Sequence, residues 1–256
     1  RDNMNAILGG SIFGPRAVGL LNWGMNVANT CSHAFVQVVG RVSFPAFARL
    51  HDQPAERQRL VANSLVWLNL ATFPVLAVVA VLADPIVTHV YGEAWRPAIP
   101  ALICFALRMM GTNTTSILIN YLNATGQVKR GFRIAAVWTA LEWGLALALL
   151  PVFGFYGIAY AYAAGVFLPV FWLLWGLRGE LALPLGRAYA APAAVAAIGA
   201  ALAWGLGPYA TSLPALVAVL VVSGLLSLGA VIGLERDQVL ALLARFKARR
   251  ASEGAA

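Results

Sequence analysis

Four stretches of this sequence run too far without charge for a chain that folds in water. Residues 17–40 and 60–83 hold 24 residues each with no Asp, Glu, Lys or Arg, residues 188–234 hold 47, and residues 134–177 hold one charge, Glu142, in 44. About 18 uncharged apolar residues already cross ~30 Å of hydrocarbon as a helix. Each run therefore has the length of one or two membrane spans. Composition agrees, with 61% hydrophobic and 11% charged residues against roughly 45–50% and about 25% in soluble domains. The fold class predicted is all-α, a polytopic transmembrane helical bundle.

Helix breakers divide the runs. The chain opens Arg1-Asp2-Asn3-Met4, and Ala6 to Phe13 is too short to span. Residues 1–13 are therefore expected as a partial span, closed by Gly14-Pro15, at the start of the C-terminal part of a longer protein. Seven complete spans are expected over about 17–40, 60–83, 98–122, 134–151, 155–177, 188–206 and 213–234. Arg41, Pro45 and Arg49 end the first. The polar loop 49–59 follows, with Asp52 placed to cap a short helix. Pro74 sits inside the second span, which Asp84-Pro85 closes, and Gly126 closes the third. Residues 151–154 and 205–214 cut the two longest runs. The transmembrane region thus fills 1–234, and 235–256 is expected as a cytoplasmic amphipathic tail, with Val239, Leu242, Leu243 and Phe246 set against Arg245, Lys247, Arg249 and Arg250.

The net charge of +8 sits in short clusters between apolar runs, which fits membrane topology and not nucleic acid. Fourteen Lys and Arg residues fall in one alternate set of loops and tail, whereas the other set holds Arg16 and Arg96. The positive-inside rule then places the C-terminus in the cytoplasm. Cys31 and Cys104 lie inside apolar runs and read as small hydrophobes. No metal-spaced Cys/His cluster, phosphate-binding glycine loop or nucleophile set stands out, so no cofactor and no enzymatic activity are expected. The lysines, Lys129 and Lys247, both lie outside the spans, which excludes a retinal Schiff base.

The polar residues inside the spans carry the functional signal. Asn22, Asn26, Asn29, His33 and Gln37 are spaced 4, 3, 4 and 4 and form one helical stripe leading to Arg41. In a bilayer such a stripe faces a partner helix, through interhelical hydrogen bonds, or a watery cavity. Arg108 lies near the middle of the third span, where an arginine costs at least about 2.5–3.5 kcal/mol and cannot escape by deprotonating. Thr112 and Thr115 continue its face, and Asn113, Ser116, Asn120 and Asn123 line the adjacent one. Glu142 is the intramembrane acid. Two readings stand: a structural Arg108–Glu142 ion pair, or Arg108 turned toward an anionic substrate. Trp138, Trp143, Trp172 and Trp175 read as interfacial or packing residues.

Four segments together carry a resemblance. Phe44-Pro45-Ala46-Phe47-Ala48-Arg49-Leu50, Tyr91-Gly92-Glu93-Ala94-Trp95-Arg96-Pro97-Ala98, Asn123-Ala124-Thr125-Gly126-Gln127 and Phe153-Gly154-Phe155-Tyr156-Gly157-Ile158-Ala159 resemble, in order and spacing, the C-terminal half of bacterial polysaccharide (O-antigen type) flippases. These belong to the multidrug/oligosaccharidyl-lipid/polysaccharide exporter superfamily. The resemblance implies two helical lobes facing across a cavity, with this chain as the second lobe and the N-terminal lobe missing. It also implies an inner-membrane transporter that flips an undecaprenyl-diphosphate-linked oligosaccharide by alternating access, with membrane lipid and a coupling ion as further partners. A sugar-diphosphate headgroup needs amides, hydroxyls and fixed positive charge. Asn22, Asn26, Asn29, His33, Arg108, Thr112 and Glu142 are accordingly the candidate substrate-binding residues. The competing readings are a drug/cation antiporter of the same superfamily, which an acidic, aromatic cavity would favour, and a noncatalytic membrane assembly subunit.

Overall fold

The computed structural model describes residues 4–49 and 53–234. The Asp52 cap and the 235–256 tail lie outside the described residues. Within them every element is helical: α1 (Gly10–Arg49, led in by a π turn at Asn5–Gly9), α2 (Pro54–Val81), α3 (Ala83–Ile86), α4 (Ile99–Ala124), α5 (Val128–Phe153), α6 (Tyr156–Gly165), α7 (Phe167–Gly176), α8 (Ala191–Leu206) and α9 (Leu213–Leu234). Among the described residues, six helical segments are long and apolar enough to cross a membrane: Pro54–Val81, Glu93–Ala124, Val128–Phe153, Tyr156–Gly176, Gly186–Tyr209 and Leu213–Val231. The protein is a polytopic, all-α helical bundle. Residues 17–40 are helical but do not count among the six, because the Asn22 to Gln37 stripe lowers the mean hydropathy of that segment.

Gly14 sets the entry into the bundle. Its backbone stands at φ 81° and ψ 179°, a conformation closed to a side chain with a Cβ. The chain reverses there. Asn5 Nδ2 donates to Asn22 Oδ1 at 3.0 Å, and Gly9 lies against Val18 and Leu21. The segment before Gly14 therefore packs antiparallel on the first turns of α1.

α4 is the hub, packed against α1, α2, α5, α6 and α7, while α8 rests on α2 and on α9. At the closest approach of α1 to α4, a Cβ added to Gly24 would stand 2.9 Å from the backbone nitrogen of Leu102. A small residue there lets two membrane helices meet backbone to backbone, where dispersion replaces the missing hydrophobic drive. The Tyr91–Ala98 motif docks onto the same end of α1. Trp23 stacks edge-on to Tyr91 at 4.9 Å and tilts against Trp95 at 5.8 Å. Arg96 pairs with Asp84 at 2.9 Å and Glu93 at 3.3 Å.

The apolar core is split. One cluster takes Leu21, Leu76, Leu102, Phe105 and Tyr162, and a second takes Phe47, Leu65, Leu118, Tyr121 and Leu173. On α4 the first cluster ends at Met109 and the second begins at Ile117. Thr112 to Ser116 fill the gap. On α2 the matching gap holds Thr72, whose hydroxyl accepts from Asn113 Nδ2 at 2.8 Å and donates to the Leu68 carbonyl at 2.7 Å. A belt of polar side chains thus crosses mid-bundle, with Thr72, Thr112, Asn113, Thr114 and Thr115 each held by a hydrogen bond as burial requires.

Candidate functional site

Arg108 projects from the middle of α4, at the edge of this belt, and is 3% exposed; Glu142 on α5 is 0% exposed. Nε and Nη2 of Arg108 each lie 3.4 Å from the same carboxylate oxygen, Oε1. Compact charge-assisted pairs run at about 2.7–2.9 Å and often engage two oxygens in a fork. This one is long and converges on a single oxygen. The guanidinium carbon also stands 4.2 Å from the centroid of the Tyr162 ring on α6, a desolvated cation–π contact. Gly165, one turn on, keeps α6 against Glu142: a Cβ there would come within 2.8 Å of Glu142 Cγ. Three helices converge on one buried charge.

Arg108 also forms part of the wall of a cavity of ≈ 330 Å³ between α1 and α4, with Asn29, Ser32, His33, Thr112, Asn113 and Ser116. A second cavity of ≈ 660 Å³ adjoins it, sharing Val36, Thr112 and Ser116, and is lined further by Gln37, Arg41, Thr115, Asn120 and Trp138. Along α1 the residues at steps of four, Asn29, His33, Gln37 and Arg41, face Arg108, Thr112, Ser116 and Asn120 on α4. The two ladders run parallel.

The structure brings together Asn29, His33, Arg108, Thr112 and Glu142 of the candidate residues. Asn22 goes to packing, bonded to Asn5. Asn26 is exposed and lines neither cavity; its carbonyl accepts from Thr30 Oγ1 at 2.8 Å. A helical stripe on a long helix meets several different neighbours along its length, and so one spacing serves two environments. Sequence reasoning missed Tyr162, Thr72, Asn69, whose amide donates to the Ala188 carbonyl at 2.9 Å, and Tyr189, whose hydroxyl donates to Thr114 Oγ1 at 2.9 Å. For Asn69 and Tyr189 the partners lie 119 and 75 residues away in the chain, and no local pattern marks them.

This fold and site define a multi-pass helical membrane protein built around a buried cation beside a polar cavity. Residues 1–100 match the family described as polysaccharide biosynthesis protein. The chain is 29% identical over 121 residues to the teichuronic acid biosynthesis protein TuaB of Bacillus subtilis, covering 46% of this chain and 25% of that protein. It is equally 29% identical over 121 residues to the lipopolysaccharide biosynthesis protein WzxC of Escherichia coli, with the same coverage of 46% and 25%. An uncharacterized membrane protein in the cps region of Klebsiella pneumoniae is 30% identical over 115 residues, 42% of this chain and 23% of that protein. The matched segment thus spans about a quarter of each relative's length. These matches are to polysaccharide biosynthesis proteins, in keeping with the resemblance that the sequence motifs carry. The family match contains the Asn22 to Gln37 stripe, whereas Arg108 and Glu142 lie beyond residue 100.

Proposed function

We propose that the chain is the C-terminal lobe of an inner-membrane transporter that turns an undecaprenyl-diphosphate-linked oligosaccharide from the cytoplasmic to the outer leaflet by alternating access, in surface-polysaccharide biosynthesis. The observation that carries this reading is Arg108, a permanent cation at mid-bundle, in a loose pair with Glu142 at the wall of a polar cavity. Anionic cargo gives a reason to retain such a charge. Two phosphate oxygens take two guanidinium N–H donors in a parallel fork, a geometry stronger than the convergence of both donors on one oxygen seen with Glu142. The incoming diphosphate displaces the carboxylate, and the exchange gives two states whose populations the cargo shifts. Asn29, His33 and Thr112 supply the surrounding donors and acceptors, and a facing N-terminal lobe closes the cavity. The names of the relatives attach to teichuronic acid and lipopolysaccharide biosynthesis, and a membrane-crossing step for a glycan precursor is compatible with both.

The test uses the full-length protein. Arg108→Lys keeps the charge without the fork and retains partial glycan export, while Arg108→Ala retains little. Glu142→Gln folds and still binds undecaprenyl diphosphate. A purely structural pair predicts instead that Glu142→Gln destabilises as much as Arg108→Ala, by about 3–5 kcal/mol for a broken buried pair. Folded Arg108→Ala binding the diphosphate lipid with wild-type affinity would overturn the proposal.

A further inference from the structure

We infer that the larger cavity between α1 and α4 is a carbohydrate subsite, distinct from the phosphate-binding end at Arg108; this rests on the transport reading above and extends it to the other half of the headgroup. Two observations carry the assignment. The lining differs along the ladders: each cavity carries one arginine, Arg108 in the ≈ 330 Å³ cavity and Arg41 in the ≈ 660 Å³ one, but the larger adds Gln37, Thr115, Asn120 and the ring of Trp138 to the shared Thr112 and Ser116. Amides and hydroxyls each offer donors and acceptors together, as sugar hydroxyls do, and they carry no charge to favour an anion. The second observation is continuity. The cavities share Thr112 and Ser116, so a headgroup anchored at Arg108 reaches the larger space without leaving the groove. From Arg108 to Asn120 the helix advances about 18 Å, longer than a diphosphate alone requires.

Local structure favours the role. Gln37 is held from the preceding turn by His33, ring Nε2 to Nε2 at 3.2 Å, which orients the amide before cargo arrives. Gly40 leaves the space beside Asn120 open, since a Cβ there would lie 3.9 Å from Nδ2. A larger side chain at 40 would grow into the cavity. Neither Gln37 nor Asn120 is buried, so replacing them does not empty the core.

The experiment measures binding of two lipids to the full-length protein in detergent: bare undecaprenyl diphosphate, and the same carrier bearing the repeat unit purified from the host. The double variant Gln37→Leu/Asn120→Leu is expected to weaken the glycan-bearing lipid about tenfold, as loss of a few hydrogen bonds implies, and to leave the bare diphosphate within about twofold. Gly40→Leu fills the same space by a different route and is expected to discriminate in the same direction. Equal weakening of both lipids, or no change in either, overturns the subsite. Failure of the transport reading appears separately, as unchanged binding of bare undecaprenyl diphosphate to Arg108→Ala.

Discussion

Arg108 is stabilised by three things of different kind: a carboxylate, an aromatic face and the polar wall of a cavity. Of these, the ring of Tyr162 at 4.2 Å is the contact that sequence alone did not offer, because an aromatic residue in an apolar span has no periodic signature that sets it apart from packing. A desolvated cation–π contact is worth about 2 kcal/mol or more and an exposed one about 0.5–1. Arg108 is buried, so the upper part of that range applies. Tyr162→Phe keeps the ring, while Tyr162→Leu removes it and keeps much of the volume. The leucine variant is expected to unfold at lower denaturant than the phenylalanine variant, by roughly 1–2 kcal/mol, when both are followed in detergent with the full-length protein. Equal stabilities would show that the ring serves only as filler. The Arg108–Glu142 partnership was legible because an arginine and an acid inside apolar runs are each expensive and one neutralises the other. The loose, single-oxygen geometry was not, since it depends on how α5 is rotated against α4.

At the scale of elements, the stretch between α7 and α8 is tied down by side chains from three helices or turns. Glu180 accepts from Gln127 Nε2 at 2.9 Å and from Arg130 Nη1 at 2.6 Å. Arg130 also donates to the Gly176 carbonyl, and Gln58 on α2 donates to the Ala182 carbonyl at 3.1 Å. Partial burial pushes the Glu180 carboxyl up, but the hydrogen bonds from Gln127 and Arg130, with the Arg130 and Arg57 charges, outweigh it and hold the group below the usual carboxylate range. A depressed folded-state value means that the latch contributes fully at neutral pH and is lost as pH falls through that value. The protection factors of the amides of residues 177–185, that is, exchange corrected for its intrinsic pH dependence, should therefore fall on acidification below the ordinary carboxylate range. Glu180→Gln should exchange faster at neutral pH and lose that pH dependence. An unchanged acid response in the variant would assign it to another group. The exposed setting keeps the energy small. Charge runs in the sequence place Arg130 and Glu180 near span ends, but the pairing across 50 residues depends on the return of α7 beside α5, which hydrophobic periodicity does not encode.

At the scale of the whole molecule, the long-range polar contacts outside the mid-bundle belt sort into two ends. Arg57 lies over the Tyr121 ring at 5.7 Å, Gln127 and Arg130 hold Glu180, and Gln58 reaches Ala182. These join the start of α2, the end of α4, the start of α5 and the end of α7 at one end of the bundle. At the other, Arg96 pairs with Asp84, Tyr156 donates to the Pro97 carbonyl at 2.9 Å, and a His89 ring nitrogen stands 2.7 Å from the Ala210 carbonyl. Charge counting along the sequence separates the same two groups of connections, because span length forces alternate loops to opposite faces. Arg41, at the far end of the α1 ladder, belongs with the first. Basic loops are retained in the cytoplasm, so the topology we propose puts the end bearing Arg57, Lys129, Arg130 and Arg178 on the cytoplasmic side and, on the transport proposal, turns the larger cavity toward the leaflet where cargo would be loaded. Single cysteines at Arg57, Lys129 and Arg178, introduced into full-length protein lacking Cys31 and Cys104, should all react with a membrane-impermeant maleimide only after the inner membrane is opened. A cysteine at Glu93 should react in intact spheroplasts. Labelling of Arg57 and Lys129 positions from opposite sides would break the parallel run of α1 and α4 across the membrane, and with it the path from Arg41 to Arg108.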